Sequence, residues 1–237
     1  IHGVRHILHG EADIVAVVGG LMDLSEFELQ GLMSLGAMGG IRFHDRPEAA
    51  CRPFDRDREG FIYGEGCGCI ILEKRQQAEA RKAKIHGSIA GYGISMDGTR
   101  NPNPSLDGEK AVMNRAMKMA GVRPEQIDYI NTHGSGSIIG DEIELEALRQ
   151  TGLNTARVNA TKSLTGHLLS AAGVVECIAT FVQMQHGFFH PTRNLDHPIA
   201  SDINWVSADS EEGVIGCAIS NSFGFGGINT AIVMRSE

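Results

Sequence analysis

The chain has 237 residues, a formal net charge of −8 and 42% hydrophobic residues. This length suits one large domain or two halves of a fold, and 30 glycines suit a turn-rich α/β enzyme. The acidic balance argues against nucleic acid as the main partner. No apolar run approaches the ~18 residues of a membrane span, so we expect no membrane insertion.

The cysteine pattern indicates a reducing compartment and no metal site. Five cysteines are an odd number, and Cys67-Gly-Cys69 lacks the ligand spacing of a zinc site. We therefore expect reduced thiols, mostly small core residues, in a cytoplasmic protein. The five are Cys51, Cys67, Cys69, Cys177 and Cys217.

The first part of the chain predicts alternating helices and strands. Residues 1–9 have helical spacing without an N-cap before them, so we expect the chain to be the downstream part of something longer. Two continuous apolar runs predict strands that are buried on both faces. These strands are 12–18 and 67–73, and helices are expected at 24–33 and 74–84.

The rest of the chain alternates more regularly. Predicted strands lie at 87–94, 127–131, 157–160, 213–220 and 229–235, and predicted helices at 108–120, 141–149 and 168–186. In the first of these helices Val112, Ala116 and Met119 share one face. This alternation predicts a mostly parallel sheet with helices on both sides.

Residues 159–176, NATKSLTGHLLSAAGVVE, join a polar loop to a mostly buried helix. Lys162 and Glu176 would be costly to bury unpaired, so we expect them to form an ion pair. Small residues at the helix start indicate that another backbone packs closely there. They are Ser170, Ala171 and Gly173. On this stretch alone, a structural salt bridge beside a capping histidine is as good an interpretation as a reactive site.

Three further stretches favour the reactive site. They are RPFDRDREGFIYGEG at 52–66, NTHGSGSIIGDEIE at 131–144 and SNSFGFGGIN at 220–229. Together with 159–176 they resemble the β-ketoacyl synthase family, the Claisen-condensing enzymes of fatty-acid and polyketide synthesis. The resemblance covers essentially the whole chain. It implies an α/β thiolase fold, layered αβαβα, with residues 1–86 as the end of the N-terminal half and 87–237 as the C-terminal half.

The resemblance implies a site built on two histidines. His133 and His167 would bind the malonyl thioester oxygen, because a neutral imidazole can donate from one nitrogen when a partner fixes the other. Lys162 would orient the site rather than act as a nucleophile, and Glu176 would support it. The alternative is a pair of satisfied structural histidines. The other eight histidines, His190 among them, match no motif.

Four residues between the two histidines match further family positions. Ser135 and Ser137 stand where the family usually has Thr, and their hydroxyls would hold the pantetheine arm of the substrate. Asp141 and Glu144 match an acidic pair beside the site. A structural role for these two acids is at least as good an interpretation as a catalytic one.

The last motif is a glycine cluster without a following helix, which argues against a phosphate-binding loop. By resemblance, Phe225 gates the acyl pocket and its backbone N–H serves the oxyanion hole, with Gly226 beside it. Phe223 is expected to pack. Ile228 stands where the family has Thr.

Five arginines lie between residues 42 and 58. Arg42 and Arg46 are candidates for docking an acidic carrier protein. For Arg52, Arg56 and Arg58 we expect a solvated loop that is salt-bridged to neighbouring acids.

These observations predict an acyltransferase, a β-ketoacyl synthase that condenses malonyl-acyl-carrier-protein with an acyl thioester. Its substrate would be carried on the 4′-phosphopantetheine arm of the carrier, with no bound cofactor. No cysteine here stands at a nucleophile's position, so we expect an N-terminal segment of the same fold to supply it, in a homodimer. One alternative is a ketosynthase-like malonyl-acyl-carrier-protein decarboxylase of a polyketide pathway. Another is the non-catalytic partner subunit of a ketosynthase heterodimer.

Overall fold

The computed structural model describes residues 1–98, 103–206 and 208–237. Its helices are α1 (His2–Leu8), α2 (Glu26–Ser34), α3 (Arg75–Ala80), α4 (Leu106–Ala120), α5 (Ile138–Thr151), α6 (Lys162–Thr165) and α7 (Ala172–His186). Its strands are β1 (Ile14–Gly19), β2 (Gly68–Glu73), β3 (Ser88–Met96), β4 (Tyr129–Asn131), β5 (Arg157–Asn159), β6 (Phe188–Phe189), β7 (Glu211–Glu212), β8 (Cys217–Gly224) and β9 (Ile228–Arg235). The division into 1–86 and 87–237 stays a prediction.

The main sheet has five strands in the order β3-β9-β8-β4-β5. β4 pairs in parallel with β5 and β8, whereas β9 is antiparallel to both β8 and β3. Four of the five strands therefore run in the same direction, as predicted for a mostly parallel sheet, and β9 runs against them. The reason is the short turn at residues 225–227, because two strands joined so tightly can only run antiparallel.

Both faces of this sheet are covered. On β4, for example, Ile130 belongs to the core beneath α4 and α5, and the adjacent Tyr129 belongs to the core on the α7 side. Ile219 and Ala218 on β8 divide in the same way. Successive strand residues point to opposite faces, which explains why these strands are continuously apolar.

The pair β1–β2 forms a separate two-stranded antiparallel sheet. Helices α1 and α7 cover one of its faces. Within the described residues nothing covers the other face, where Val18 is 68% exposed and Ile71 is also exposed. The prediction that both strands are buried on two faces was therefore wrong, and Cys67 and Cys69 are exposed rather than buried.

Two predicted helices also need correction. α3 ends at Ala80 instead of reaching residue 84, and Lys82 takes a left-handed conformation with φ of 57°. On α4 the buried face contains Met113 and Met117, whereas Met119 is exposed. The periodicity of the sequence indicated both helices, but contacts with other parts of the fold decided where each helix ends and which face it buries.

The close backbone approach predicted at the start of α7 is present. Ser170 Oγ donates to the Gly20 carbonyl at 2.7 Å. A Cβ added to Gly19 would lie 2.8 Å from Ala171 Cα, so no larger residue fits there. The small residues thus let β1 pack directly on the segment that leads from the site into α7.

None of the helices in the described ranges is long and apolar enough to cross a membrane. In the same ranges, no group of three or more His, Cys, Asp or Glu side chains is arranged to hold a metal ion.

Candidate active site

The predicted site residues lie where two parallel strands end. His133 follows β4, and Lys162 and His167 follow β5, so all three lie at the same edge of the sheet. The rings of His133 and His167 meet edge to face with their centroids 5.5 Å apart. The structure therefore brings together the three residues that the sequence assigned to catalysis.

Lys162 and Glu176 form the predicted ion pair. Lys162 Nζ lies 2.5 Å from Glu176 Oε1, and the side chains are only 1% and 2% exposed. The ammonium also donates to the His133 carbonyl at 2.6 Å. Lys162 thus links α7 to the loop that carries His133.

His167 is held as a neutral imidazole with its proton on Nε2. Its Nδ1 accepts a hydrogen bond from the Leu169 backbone N–H at 3.1 Å. Burial, reinforced by the charge of Lys162, lowers the pKa of His167 to about 3. Leu169 has φ of 49°, a left-handed conformation that is costly for a residue with a side chain. That strained turn places the N–H on the ring, and no sequence signal pointed to Leu169.

His133 is in the same state for a different reason. Its Nδ1 lies 3.3 Å from Lys162 Nζ, an ammonium that can only donate. Burial, then the charges of Lys162 and His167, hold the pKa of His133 well below its ordinary value. Each imidazole therefore keeps its proton on Nε2 and can donate it to a ligand. Phe223 packs against His133, as expected, with ring centroids 5.8 Å apart.

The acids Asp141 and Glu144 hold the His133 loop through its backbone. Glu144 accepts from the N–H groups of His133 and Gly134 at 2.8 and 2.9 Å. Asp141 accepts from the N–H of Gly136 at 3.1 Å, and burial raises the pKa of Asp141 to about 7. These contacts favour the structural interpretation of the two acids.

Ser135 and Ser137 form the turn into α5. Ser137 Oγ accepts from the Gly140 N–H at 3.1 Å and caps the helix. Ser135 Oγ accepts from the Ser137 N–H at 3.3 Å. Both oxygens act as acceptors, so both hydroxyl protons can serve a ligand. Their assignment to the pantetheine arm stays a prediction.

The glycine cluster forms the hairpin between β8 and β9. Phe225 is 60% exposed at its tip, and Gly226 has φ of 85°, which only glycine adopts readily. A strand follows the cluster at Ile228, and no helix does, as predicted. The gating and oxyanion roles of Phe225 and Gly226 stay predictions.

The arginine loop differs from the prediction. Arg52 is buried and pairs with the fully buried Asp55 at 3.0 Å. Arg58 is also buried and donates to the carbonyls of Ser137 and Ile138 at 3.2 and 2.6 Å. The expected solvated loop was therefore wrong for these two arginines, which support the start of α5.

Three other arginines of this loop are exposed. One of them is Arg56, for which a solvated loop was expected. The other two are the candidates for carrier docking, Arg42 and Arg46, and Arg42 pairs with Glu59 at 2.6 Å. Docking by Arg42 and Arg46 stays a prediction.

This fold and this site define a class, the ketosynthases of the thiolase fold. Residues 1–78 match the family model described as beta-ketoacyl synthase, N-terminal domain, and residues 86–196 match beta-ketoacyl synthase, C-terminal domain. The chain belongs to the β-ketoacyl synthase family, and the resemblance stated from its motifs is confirmed.

Curated relatives include proteins of two activities. The polyketide biosynthesis malonyl-ACP decarboxylase PksF of Bacillus subtilis (strain 168) is 51% identical over 236 residues, which are 100% of this chain and 57% of that protein. The 3-oxoacyl-(acyl-carrier-protein) synthase 2 of Rhizobium meliloti (strain 1021) is 41% identical over 98% of this chain and 56% of that protein. The chain therefore spans little more than half the length of these relatives.

Solved structures confirm the expected thiolase-like ketosynthase fold. A beta-ketoacyl synthase from Burkholderia phymatum STM815 has a TM-score of 0.94 at 29% identity, covering 100% of this chain and 58% of that one. The ketosynthase of AntDE:AntF, solved with an acyl-carrier protein, has a TM-score of 0.93 at 30% identity, covering 100% of this chain and 59% of that one.

Proposed function

We propose that the whole protein decarboxylates a malonyl thioester carried on the 4′-phosphopantetheine arm of an acyl carrier protein. The observation that carries this proposal is the pair of neutral imidazoles, His133 and His167, with ring centroids 5.5 Å apart and Nδ1 of each facing a donor. When the bond between the malonyl carbon and the carboxylate breaks, CO₂ leaves. The electron pair of that bond moves towards the thioester carbonyl, whose oxygen becomes the enolate oxygen. Two Nε2–H donors stabilise that charge.

Lys162 contributes by holding the imidazoles neutral and in place. Its charge disfavours protonation of both rings, and its contacts with Glu176 and the His133 carbonyl fix the loop. Protonation of the enolate carbon would then give an acetyl thioester. The decarboxylase relative at 51% identity supports this reaction.

Condensation is the second candidate, since the same enolate can attack an acyl thioester. The synthase relatives support it. Two thiols of this chain, Cys51 and Cys177, are poor nucleophiles, because burial raises the pKa of Cys51 to about 11 and that of Cys177 to about 12. The nucleophile of this proposal comes from an N-terminal segment of the same fold, and its identity would separate the two reactions. A non-catalytic partner subunit would not need the two donors.

The proposal includes an acyl carrier protein as partner, a homodimer and a cytoplasmic location, in fatty-acid or polyketide synthesis. Arg46 is the better docking candidate, because the charge of Arg42 is paired with Glu59. The carrier complex of a related ketosynthase supports this partner class.

The test is a mass-spectrometric assay of the whole protein with malonyl-acyl-carrier-protein, with and without an acyl-carrier substrate. His133→Ala and His167→Ala should each lower decarboxylation ~10²–10³-fold, the usual effect of losing one oxyanion donor. His186→Ala, at the exposed end of α7, is the matched control. Unchanged decarboxylation in either site variant would refute the assignment, and a 3-oxoacyl product would identify a condensing enzyme.

A further inference from the structure

A buried histidine that matches no motif supports the site from behind. His190 follows β6 and is only 8% exposed. Its N–H donates to Gln183 Oε1 at 2.9 Å, and its carbonyl accepts from Asn159 Nδ2 at 2.8 Å. Since Gln183 lies on α7 and Asn159 on β5, the backbone of His190 is fixed between these two elements.

The ring of His190 contacts Thr161, the residue before Lys162. His190 Nε2 lies 3.0 Å from Thr161 Oγ1, and the same hydroxyl lies 2.6 Å from Asn131 Oδ1. His190 Nδ1 lies 3.0 Å from the Pro191 carbonyl, which can only accept, so the neutral ring keeps its proton on Nδ1 and turns the acceptor Nε2 towards the Thr161 hydroxyl. The Thr161 hydroxyl therefore lies within hydrogen-bonding distance of both the His190 ring and the Asn131 amide.

These hydrogen bonds join the two loops of the site. Asn131 ends β4 two residues before His133, and Thr161 follows β5 directly before Lys162. The bond between Asn131 and Thr161 therefore ties the two strand ends together where Lys162 donates to the His133 carbonyl at 2.6 Å. The members are buried, so losing one leaves another unsatisfied.

We propose that His190 is a positioning residue of the decarboxylation site, which acts through Thr161 to place Lys162 relative to His133. The inference rests on the proposed function. Burial lowers the pKa of His190, against backbone hydrogen bonds that raise it.

The test compares kcat and KM of the whole protein for malonyl-acyl-carrier-protein. His190→Phe keeps the aromatic volume and removes both ring nitrogens, and Thr161→Val removes the hydroxyl at nearly constant shape. Each should lower kcat roughly 10-fold at unchanged KM, the effect of one net hydrogen bond. The double variant should be no slower than Thr161→Val alone. His190→Gln, which restores a hydrogen-bonding side chain, should recover most of kcat, and the exposed His186→Phe should match the parent.

The proposal would be overturned if the losses of kcat from His190→Phe and Thr161→Val add up in the double variant. It would also be overturned if His190→Phe lowers Tm but keeps the parental kcat. If His190→Phe does not fold, the test compares kcat of Thr161→Val, which lacks the hydroxyl, with kcat of Thr161→Ser, which keeps it. Equal losses of kcat in these two variants would overturn the proposal. Imidazole ¹⁵N spectra give a readout without turnover, in which His190→Phe should shift the His133 signals and His186→Phe should not. An inactive parent with that shift intact would refute the proposed function and leave the positioning role standing.

Discussion

Lys162 and Glu176 are both buried, so each depends on the other for its charge to be tolerated. We predict that Lys162→Ala lowers the free energy of unfolding by ~3–5 kcal/mol, because Glu176 is left as an unpaired buried charge. Chemical denaturation of the whole protein measures this. The double variant Lys162→Met, Glu176→Leu should regain most of the stability and remain inactive. Parental stability in Lys162→Ala would show that the pair contributes nothing.

The lowered pKa of His167 predicts a pH dependence of stability. The folded protein protonates this ring at about pH 3, whereas an unfolded histidine does so at about 6.5. Below pH 6.5 the unfolded state therefore binds more protons, and the free energy of unfolding should fall as the pH drops from 6.5 towards 3. His167→Phe should flatten this slope in urea titrations at several pH values. An identical slope in the variant would mean that the ring is not held neutral.

Among the elements, the segment just before β2 fixes the backbone of His167. The His167 N–H donates to the Ile62 carbonyl at 2.8 Å, and the Gly64 N–H donates to the His167 carbonyl at 3.1 Å. A Cβ on Gly64 would lie 2.1 Å from the Thr165 carbonyl oxygen. The absence of a side chain at Gly64 thus lets residues 62–64 pack against residues 165–167 and hydrogen-bond the backbone of His167.

We predict that Gly64→Ala destabilises the protein by ~1–3 kcal/mol, as overpacking usually does, and lowers decarboxylation by displacing His167. The control is Gly31→Ala on α2, where nothing lies within 4 Å of the added Cβ. This control should stabilise by roughly 0.5–1 kcal/mol, because alanine loses less backbone entropy in a helix. Equal behaviour of the two variants in thermal melts and in the assay would contradict the role of Gly64.

At the scale of the whole molecule, a helix followed by an antiparallel strand pair occurs twice. The first is α1 with β1–β2, where α2 lies between the two strands, and the second is α7 with β8–β9, where β6 and β7 come before β8. β8–β9 lies inside the main sheet between β4 and β3, whereas in the described residues no further strand pairs with β1–β2. This difference supports the proposal that an N-terminal segment completes the first sheet.

We predict that residues 1–237 expressed alone lack condensing activity and bind a hydrophobic dye through the uncovered face of β1–β2. Val18→Thr with Ile71→Thr should reduce dye binding, because both side chains are exposed on that face. The whole protein should bind little dye with or without these changes. A fully condensing enzyme from residues 1–237 would refute the missing nucleophile and require one of its five cysteines to act.

The sequence by itself predicted the residues of the candidate site and determined most of the elements that present them. His133, Lys162 and His167 were assigned from motifs, and the pairing of Lys162 with Glu176 followed from the cost of burying either alone. Helix and strand patterns are local, because the periodicity of the backbone sets which side chains share a face.

Only the tertiary structure decided burial, pairing direction and protonation, because these depend on neighbours that are distant along the chain. Arg58 looked solvated among nearby acids, yet it donates to carbonyls 79 and 80 residues away. The proton of each imidazole is set by what faces its Nδ1, the Leu169 N–H for His167 and the Lys162 ammonium for His133. No spacing in the sequence encodes these contacts, since they arise when the ends of β4 and β5 meet.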